Sequence, residues 1–342
     1  MNLLKQLIID EKKINNKLYS AGPYWEDKAK RASLEIKRFG LGQFRGSNSN
    51  VGGSFADNEV LDARTIYFLG RERFYAFLTN IYPINKIFKL QLRKTKQHFE
   101  NYLNLKQENY KNSSRVKYLL NKYKLKNTVE FGCINKFSLG DKSYSFHYLN
   151  LLSEHDYLAD FVNYKNINSV FEIGGGFGVN IHILLQNYPN IKKILYLDIV
   201  PNLFIGTEYL KHFYKDAVLD YNSTRNNPKI KFSKNNDLEI ICIAPWQIEK
   251  VDCSIDYFHN SHSFIEMTEN IIRNYVKYIE KFCSNKSQIV LTTYTKNTSA
   301  HLDIVKIINN VFKYKLNNFN QNLLLSNRKI QFFYSQNQKS RR

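Results

Sequence analysis

Short apolar runs alternate with longer amphipathic stretches over the second half of the chain. The apolar runs predict strands at 169–173, 194–198, 239–243, 254–259, 288–294 and 330–334. Apolar positions at helical spacing predict helices between them at 179–187, 202–214 and 269–282. Strands that alternate with helices are typical of a parallel sheet covered on both faces. The pattern therefore predicts an α/β fold with a doubly wound sheet.

The first 150 residues follow a mainly helical pattern instead. Helices are predicted from Tyr24 to Phe39, over about 64–126 with a break near Pro83, and over 145–163. The apolar positions of the first helix are Trp25, Ala29, Ala32, Leu34 and Ile36, and Gly40 and Gly42 end it. Residues 45–54 predict a polar loop, and a turn is expected around 132–141.

The length of 342 residues is enough for two cores. We therefore expect a helical domain at 1–150, which covers a substrate or mediates oligomerisation, and a ligand-binding α/β domain at 151–342.

One turn concentrates glycines directly after the first predicted strand. Residues 170–178 read Val-Phe-Glu-Ile-Gly-Gly-Gly-Phe-Gly, and the next strand ends on Asp198. A strand, a glycine-rich turn, a helix and a second strand ending on a carboxylate form half of a nucleotide-type site. A dinucleotide fingerprint requires glycine at its first, third and sixth positions, but the sixth position counted from Gly174 is Val179. The turn therefore indicates a different nucleotide-type ligand.

The spacing fits Glu-x-Gly-x-Gly-x-Gly, with Glu172, Gly174, Gly176 and Gly178 as the fixed residues. In this the segment resembles class I S-adenosylmethionine-dependent methyltransferases, and the resemblance implies that cofactor and a Rossmann-like sheet.

Each residue type has a physical role in such a site. Glycines, Gly175 included, let the backbone approach a ligand without a Cβ in the way. We expect Glu172 to accept hydrogen bonds around the methionine amino group, and Asp198, followed by Ile199, to accept them from the ribose hydroxyls. Trp246, just after the third strand, either flanks the adenine or fills the core.

A second stretch, His259-Asn-Ser-His-Ser-Phe-Ile-Glu-Met267, follows the fourth strand of the sheet. Together with 170–178 and 197–203, it resembles the sugar O-methyltransferases of bacterial surface-glycan gene clusters. Tyr24-Trp25-Glu26 and Phe39-Gly40 are similar to that family's amino-terminal region. The resemblance covers about 20–300 and is strongest over 169–213 and 255–267. It implies methyl transfer to a sugar hydroxyl in polysaccharide or lipopolysaccharide biosynthesis, with a sugar, nucleotide sugar or lipid-linked glycan as acceptor.

A sugar hydroxyl is a very weak acid, so a base near the methyl group helps its transfer. His262 is the first candidate, with Glu266 orienting it or binding a sugar hydroxyl, and His259 is the second. A loop histidine bonded to backbone and a helix-start glutamate favoured by the helix dipole are the structural alternatives for His262 and Glu266.

Other polar residues near the predicted strand ends are weaker candidates. Asn260 and Ser261 are expected at the cofactor, although Asn260 and Ser263 also suit a role in holding the loop. Before the first strand, Tyr144, His155 and Asp156 are candidates for the methionine end of the cofactor.

Half of the net charge of +20 falls in one stretch. Residues 86–126 contain twelve lysines and arginines against Glu100 and Glu108, a balance of +10. Such a stretch suits nucleic acid, an anionic membrane surface or an anionic substrate, and it is also typical of a solvated helical face. A nucleic-acid methyltransferase is therefore the alternative function. Amino-directed enzymes of that class carry Asn/Asp-Pro-Pro-aromatic where this chain has Asn260-Ser-His-Ser, which leaves a ribose-directed enzyme open.

The remaining features favour a cytoplasmic protein, with attachment to the inner membrane face left open. Four scattered cysteines predict reduced thiols, and the apolar run at 3–9 is too short for a signal peptide. No compact cluster of oxygen ligands is seen, so no metal is expected. A homo-oligomer and a non-catalytic partner that keeps a cofactor pocket are both compatible with the sequence.

Overall fold

A computed structural model describes residues 2–42, 44–45, 85–133, 136–294, 304–313, 316–323 and 328–335. The chain divides into two compact units. The sheet unit consists of residues 1–37 and 153–342, and the helical unit consists of residues 38–152.

The described helices have the following bounds: α1 Asn2–Ile14, α2 Pro23–Phe39, α3 Asn85–Asn112, α4 Ser114–Lys122, α5 Phe146–Leu158, α6 Val179–Asn187, α7 Asn202–Tyr214, α8 Tyr221–Thr224, α9 Glu269–Phe282 and α10 Ile304–Val311. The described strands are β1 Lys136–Leu139, β2 Lys142–Ser145, β3 Ser169–Ile173, β4 Lys193–Leu197, β5 Val218–Leu219, β6 Glu239–Ile243, β7 Ile255–Ser261, β8 Cys283–Tyr294, β9 Leu316–Leu323 and β10 Arg328–Ser335.

Eight strands form one sheet in the order β5-β6-β4-β3-β7-β8-β10-β9. All neighbours from β5 to β8 are parallel, whereas β10 is antiparallel to both β8 and β9. The next three strands along the chain, β4, β5 and β6, lie on one side of β3, and β7 and the strands after it lie on the other side. In a sheet of this kind, ligands bind at the carboxyl ends of the strands where the order reverses, here between β3 and β7. The predicted α/β, doubly wound, Rossmann-like fold is confirmed.

The central strands are apolar on both faces because helices cover both sides. All five residues of β3 and all five of β4 are buried. Phe171, Ile173 and Leu197 belong to a core cluster that also contains Ile272 and Ile279 of the amphipathic α9. Removal of these side chains from water fixes the sheet against that helix, so the carboxyl ends of the strands are held on a rigid base.

Three helices have the bounds that the sequence predicts: 179–187, 202–214 and 269–282. The turn expected at 132–141 contains β1 of a hairpin with β2, and the strand predicted to begin at 288 begins at Cys283. Leu34 was predicted to lie on the apolar side of α2, but its side chain is 66% exposed. Residues 46–54 of the predicted loop and 64–84 of the predicted helix lie outside the described residues.

The amino-terminal residues differ from the expected division at 150, because 1–37 group with the sheet unit. Buried Asp10 of α1 accepts hydrogen bonds from Arg225 Nη2 at 2.9 Å and from Tyr221 OH at 2.9 Å. Tyr19 donates its hydroxyl to Glu249. These bonds fasten α1 and the turn after it to segments that follow β5 and β6. The functional roles expected for an amino-terminal domain remain proposals.

The helical unit contains α3, α4 and the β1–β2 hairpin. Its Arg45 side chain is buried, and its Nη1 and Nη2 atoms donate to Thr128 O at 3.2 Å and Ser145 Oγ at 2.6 Å. Such bonds compensate the cost of burying a guanidinium group. Across the described parts of both units, no helix combines the length and the apolar character needed to span a membrane.

Candidate active site

Three neighbouring strands end at the same place in the sheet unit, as expected for parallel strands. The N–H of Gly174, just after β3, donates to Leu197 O at the end of β4 at 2.9 Å. From β7, Asn260 Nδ2 donates to Ile173 O at 2.8 Å. These bonds hold the glycine turn between the ends of β4 and β7, where the sheet topology places a ligand site.

The backbone of the glycine turn requires glycine at alternate positions. Gly174, Gly176 and Gly178 have φ values of +70°, +64° and +84°, which side chains with a Cβ rarely adopt. Gly175 is required for a different reason, since a Cβ there would lie 2.5 Å from Glu172 Oε2. The turn therefore keeps an open backbone surface next to a carboxylate.

That carboxylate, Glu172, is 1% exposed. Its Oε1 lies 2.9 Å from Asn180 Nδ2 and 3.0 Å from His259 Nδ1. Its Oε2 has no hydrogen-bond partner within the described part of the chain. A buried carboxylate oxygen without a partner carries a large desolvation cost, so a site of this kind fits a ligand that brings donors or positive charge.

Asp198 follows β4 and faces the glycine turn. Its Oδ2 accepts the N–H of Gly176 at 2.9 Å, and its Oδ1 accepts the N–H of Ile199 at 2.7 Å. Burial raises the pKa of Asp198 to about 7, since it outweighs the two backbone hydrogen bonds that favour the charged form. The charge of Glu172 contributes to this rise. Glu172 and Asp198 thus flank the glycine turn with two carboxyl groups that lie in different environments.

Beneath the turn, Tyr196 donates its hydroxyl to Gly176 O at 2.5 Å and also lies 3.4 Å from Asp198 Oδ2. This side chain links β4 to the turn and helps to fix the position of the carboxylate.

His262 lies at the end of β7 with a backbone φ of +61°, and its N–H donates to Thr292 O at 2.9 Å. Its Nε2 lies 3.4 Å from Oε2 of Glu154 on α5. Ser261 Oγ donates to the other oxygen of Glu154 at 3.0 Å. Burial raises the pKa of Glu154, but electrostatic attraction to His262 and His259 and hydrogen bonds from His262 and Ser261 together outweigh burial, so the net pKa lies below its usual value. An ionised Glu154 therefore orients His262.

Glu266, predicted as an orienting partner of His262, has a different direct contact. Its Oε2 accepts the indole N–H of Trp25 at 2.7 Å, and a Cβ on Gly22 would lie 2.6 Å from its backbone oxygen. Burial raises the pKa of Glu266, whereas Trp25 and the charges of Lys28 and His262 oppose the rise. The start of α2 thus packs closely on the loop after β7, and the charge of His262 acts on the Glu266 carboxyl.

The structure shows the alternative, loop-holding role of Asn260. Its Nδ2 also donates to Ser263 Oγ at 2.5 Å, and its Oδ1 accepts the N–H of Phe264 at 3.2 Å. Trp246 is partly buried against the core, and its indole N–H donates to Tyr221 OH at 3.2 Å. Cofactor contacts by Asn260, Ser261, Ile199 and Trp246 stay predictions.

Of the candidates before β3, His155 is directed elsewhere. Its Nε2 lies 3.0 Å from Tyr188 OH, and its ring packs 4.6 Å from that of Tyr164. Tyr144 lies in β2 and pairs with Phe137 there. Asp156 is buried. In this segment it is Glu154, just before His155, that reaches the strand ends.

Glu154 and Asn180 are the site residues that sequence reasoning missed. Asn180 Nδ2 lies 2.9 Å from both Glu172 Oε1 and His259 Nδ1, and it sits in the first turn of α6. Its position directly after the glycine turn was a usable signal. Glu154 was harder to find, because it stands among other polar residues of α5, Ser153, His155 and Asp156, and only the three-dimensional path of α5 brings it to β7.

Within the described ranges, no group of three or more histidine, cysteine, aspartate or glutamate side chains is arranged to hold a metal ion. The expectation of a metal-free site stays a prediction.

No protein-family model matches the chain, and no curated protein matches it. Its structure is similar to that of the pyocyanin biosynthetic protein PhzM, with 11% identity over 56% of each chain and a TM-score of 0.39. For the mitomycin 7-O-methyltransferase MmcR, the identity is 8% over 56% of this chain and 54% of that one, with a TM-score of 0.38.

A SAM-dependent methyltransferase from Aquifex aeolicus matches with 11% identity over 53% of this chain and 87% of that one, with a TM-score of 0.37. The chain matches only about half the length of the first two proteins. At such identities and scores, function has to be judged from the residues of the site.

Proposed function

We propose that the protein is an S-adenosylmethionine-dependent O-methyltransferase that acts on a sugar hydroxyl. The observation that carries this proposal is the Oε2 atom of Glu172, buried beside the glycine turn without a partner in the described part of the chain. The amino group of the cofactor's methionine moiety supplies both the positive charge and the N–H donors that such an oxygen needs.

The other residues of the turn fit the same cofactor. Gly174 to Gly178 leave the backbone open for the close approach of the ligand. Oδ2 of Asp198 accepts the N–H of Gly176 at 2.9 Å, and we assign to this carboxylate the hydrogen bonds from the ribose hydroxyls. Trp246 follows β6, the neighbour of β4, and is our candidate for the adenine side.

When bound, the cofactor supplies a methyl group already activated by its attachment to a sulfonium. The protein's own task is to hold the acceptor oxygen in line and to accept its proton as the new bond forms. We assign the proton to Nδ1 of His262, because Nε2 is directed at Glu154 and its N–H donates to that carboxylate. The ionised Glu154 then stabilises the positive imidazolium that forms, as the aspartate of a catalytic triad does.

A sugar acceptor is supported by the side chains around Glu266. Glu266 offers a carboxylate that can accept hydrogen bonds from hydroxyl groups, and Tyr24, next to its partner Trp25, is 43% exposed. The two aromatic rings form an edge-to-face pair with centroids 5.8 Å apart. Aromatic surface beside a few polar groups suits the apolar faces and hydroxyls of a sugar ring. A role in surface-glycan biosynthesis, and the form in which the sugar is presented, rest on the sequence resemblance alone.

Transfer of a deuterated methyl group tests the proposal. The protein is incubated with methyl-deuterated S-adenosylmethionine and a panel of monosaccharides, nucleotide sugars, lipid-linked oligosaccharides and total RNA, and products are identified by mass spectrometry. We expect a labelled sugar that the His262→Ala variant produces at a small fraction of the rate. Labelled RNA in place of a labelled sugar would contradict the proposal.

A further inference from the structure

Asn202, the first residue of α7, carries a buried side-chain oxygen beside the candidate site. The residue is 4% exposed, and its Oδ1 has no hydrogen-bond partner within the described part of the chain. Its side-chain amide also forms a hydrogen bond with Asp198 that favours the charged form of that carboxyl. A buried acceptor without a partner carries a desolvation cost, which a ligand that brings a donor removes.

The carboxylate decides which end of the amide faces it. An ionised carboxylate only accepts hydrogen bonds, so the amide atom next to Asp198 is the donor Nδ2. Oδ1 belongs to the same planar group and is therefore close to the carboxylate but directed away from it. Asn202 thus places a neutral acceptor next to a charged one.

Helix α7 holds this side chain in place. The N–H of Leu203 donates to Ile199 O at 2.8 Å, so the backbone on both sides of Asn202 is tied into the first turn of the helix. One turn further on, a Cβ on Gly206 would collide with the Tyr196 hydroxyl of β4. Because α7 packs this closely on β4, the Asn202 side chain stays at the end of that strand.

Asp198 itself has little acceptor capacity left. A carboxylate offers about four lone-pair sites. The N–H groups of Gly176 and Ile199 occupy two of them, at 2.9 Å and 2.7 Å, and the Asn202 amide occupies a third. The hydroxyl proton of Tyr196 is directed at the Gly176 oxygen instead. A ribose presents two neighbouring hydroxyl groups, so a second acceptor beside Asp198 completes the site.

We propose that Asn202 and Asp198 share the two ribose hydroxyls of the cofactor: Nδ2 of Asn202 holds the carboxylate, and its Oδ1 accepts one hydroxyl. The ligand is the cofactor of the proposed function, so the assignment rests on that function, but it does not involve the methyl acceptor. A ligand without this hydroxyl would leave Oδ1 unpaired in the complex. The site should therefore discriminate against a deoxyribose.

Titration calorimetry with three ligands tests the assignment: S-adenosylhomocysteine and its 2′-deoxy and 3′-deoxy analogues. The parent protein should bind each analogue at least about tenfold more weakly than S-adenosylhomocysteine. Asn202→Ala should weaken S-adenosylhomocysteine by at least about tenfold. It should weaken one of the analogues by no more than about threefold, because that analogue lacks the hydroxyl that Oδ1 accepts. Asn202→Ser, a residue that suits the start of a helix, is the second variant and should give the same pattern.

Asn187→Ala is the matched control, since Asn187 at the end of α6 also uses its Nδ2 in a hydrogen bond, to Ile183 O at 2.9 Å. It should leave all three dissociation constants within about twofold, and circular dichroism confirms that each variant is folded. Loss by the same factor for all three ligands in Asn202→Ala and Asn202→Ser, no loss in them, or equal loss in the control overturns the assignment and leaves the proposed function in place. A parent protein that binds none of the three ligands overturns the proposed function as well.

Discussion

The indole Nε1 of Trp25 lies 2.7 Å from Oε2 of Glu266, although 241 positions separate the two residues in the sequence. Both belong to stretches that resemble the same family, one at the start of α2 and the other in the loop after β7. The bond joins the two stretches: burial raises the pKa of Glu266, and the donor from Trp25 opposes that rise because it favours the charged carboxylate.

Trp25→Phe should therefore lower the free energy of unfolding by about 1–2 kcal/mol, because it leaves a largely buried carboxyl without its donor. The pKa of Glu266 should rise further in the variant, so the deficit should grow from about pH 4 to about pH 7 as the group ionises. Urea denaturation at these two pH values measures the loss in the free energy of unfolding. Tyr24→Phe is the control, and an equal loss there would remove the hydrogen bond as the cause.

Much of the sheet could be predicted, because its strands are continuous apolar runs and its helices are amphipathic. β3, α6, α7 and α9 have the predicted bounds for this reason. The two-residue β5 and the Asn-rich β9 lack such a signal, so local pattern did not predict them. Local pattern did not indicate that residues 1–37 group with the sheet unit, since the bonds from Asp10 to Arg225 and Tyr221 span more than 200 positions.

The candidate site also has a part that local sequence predicts and a part that it does not. The glycine turn and Asp198 follow from local spacing, because short-range backbone geometry constrains them. The pairing of His262 with Glu154 depends on where α5 passes the end of β7, which no local pattern encodes. The candidates chosen in this segment, Tyr144, His155 and Asp156, did not include Glu154, because the rotation of a helix decides which of its side chains faces the site.

Gly175→Ala should weaken binding of S-adenosylhomocysteine by at least about tenfold, because the added Cβ would lie 2.5 Å from Glu172 Oε2 and displace that carboxylate. Gly42→Ala is the matched control, since nothing lies within 4 Å of a Cβ at that position. Titration calorimetry compares the two variants. Equal affinities would show that the turn beside Glu172 does not contact the ligand.

Asp198→Ala should weaken binding of S-adenosylhomocysteine by at least about 1 kcal/mol through loss of hydrogen bonds to the ribose. In the parent protein the pKa of Asp198 is raised to about 7, and ribose hydroxyls favour the ionised form. Affinity should therefore fall as pH decreases below about 7, by up to about tenfold per pH unit. Calorimetry over this range should show no such dependence in Asp198→Asn.

The same pKa predicts a trend in stability. Folded Asp198 holds a proton between its ordinary pKa of 3.8 and about 7 while the unfolded chain has released it. The free energy of unfolding of the cofactor-free protein should therefore decrease as pH rises through this interval, and Asp198→Asn should remove that component. A parent protein and a variant with parallel pH profiles in urea denaturation would contradict it.

His262→Ala should leave the affinity for S-adenosylhomocysteine unchanged and reduce the rate of methyl transfer by about 100-fold or more, as expected for loss of a general base. Glu154→Gln should also reduce the rate of methyl transfer, by about tenfold or more, because the buried carboxylate stabilises the imidazolium that forms on His262. Turnover at saturating cofactor and acceptor measures both effects. A normal rate in Glu154→Gln would leave Glu154 without an electrostatic role, and near-normal turnover in His262→Ala would transfer the role to His259 or to no protein base.

The most direct test of the account is titration calorimetry of the purified protein with S-adenosylhomocysteine beside the Gly176→Val variant. Gly176 has a φ of +64°, and a β-branched residue cannot adopt this conformation without strain. We predict a dissociation constant in the micromolar range for the parent and loss of binding in the variant, with circular dichroism showing that both are folded. A parent protein that does not bind would contradict the methyltransferase proposal and leave an α/β fold whose glycine turn serves another ligand.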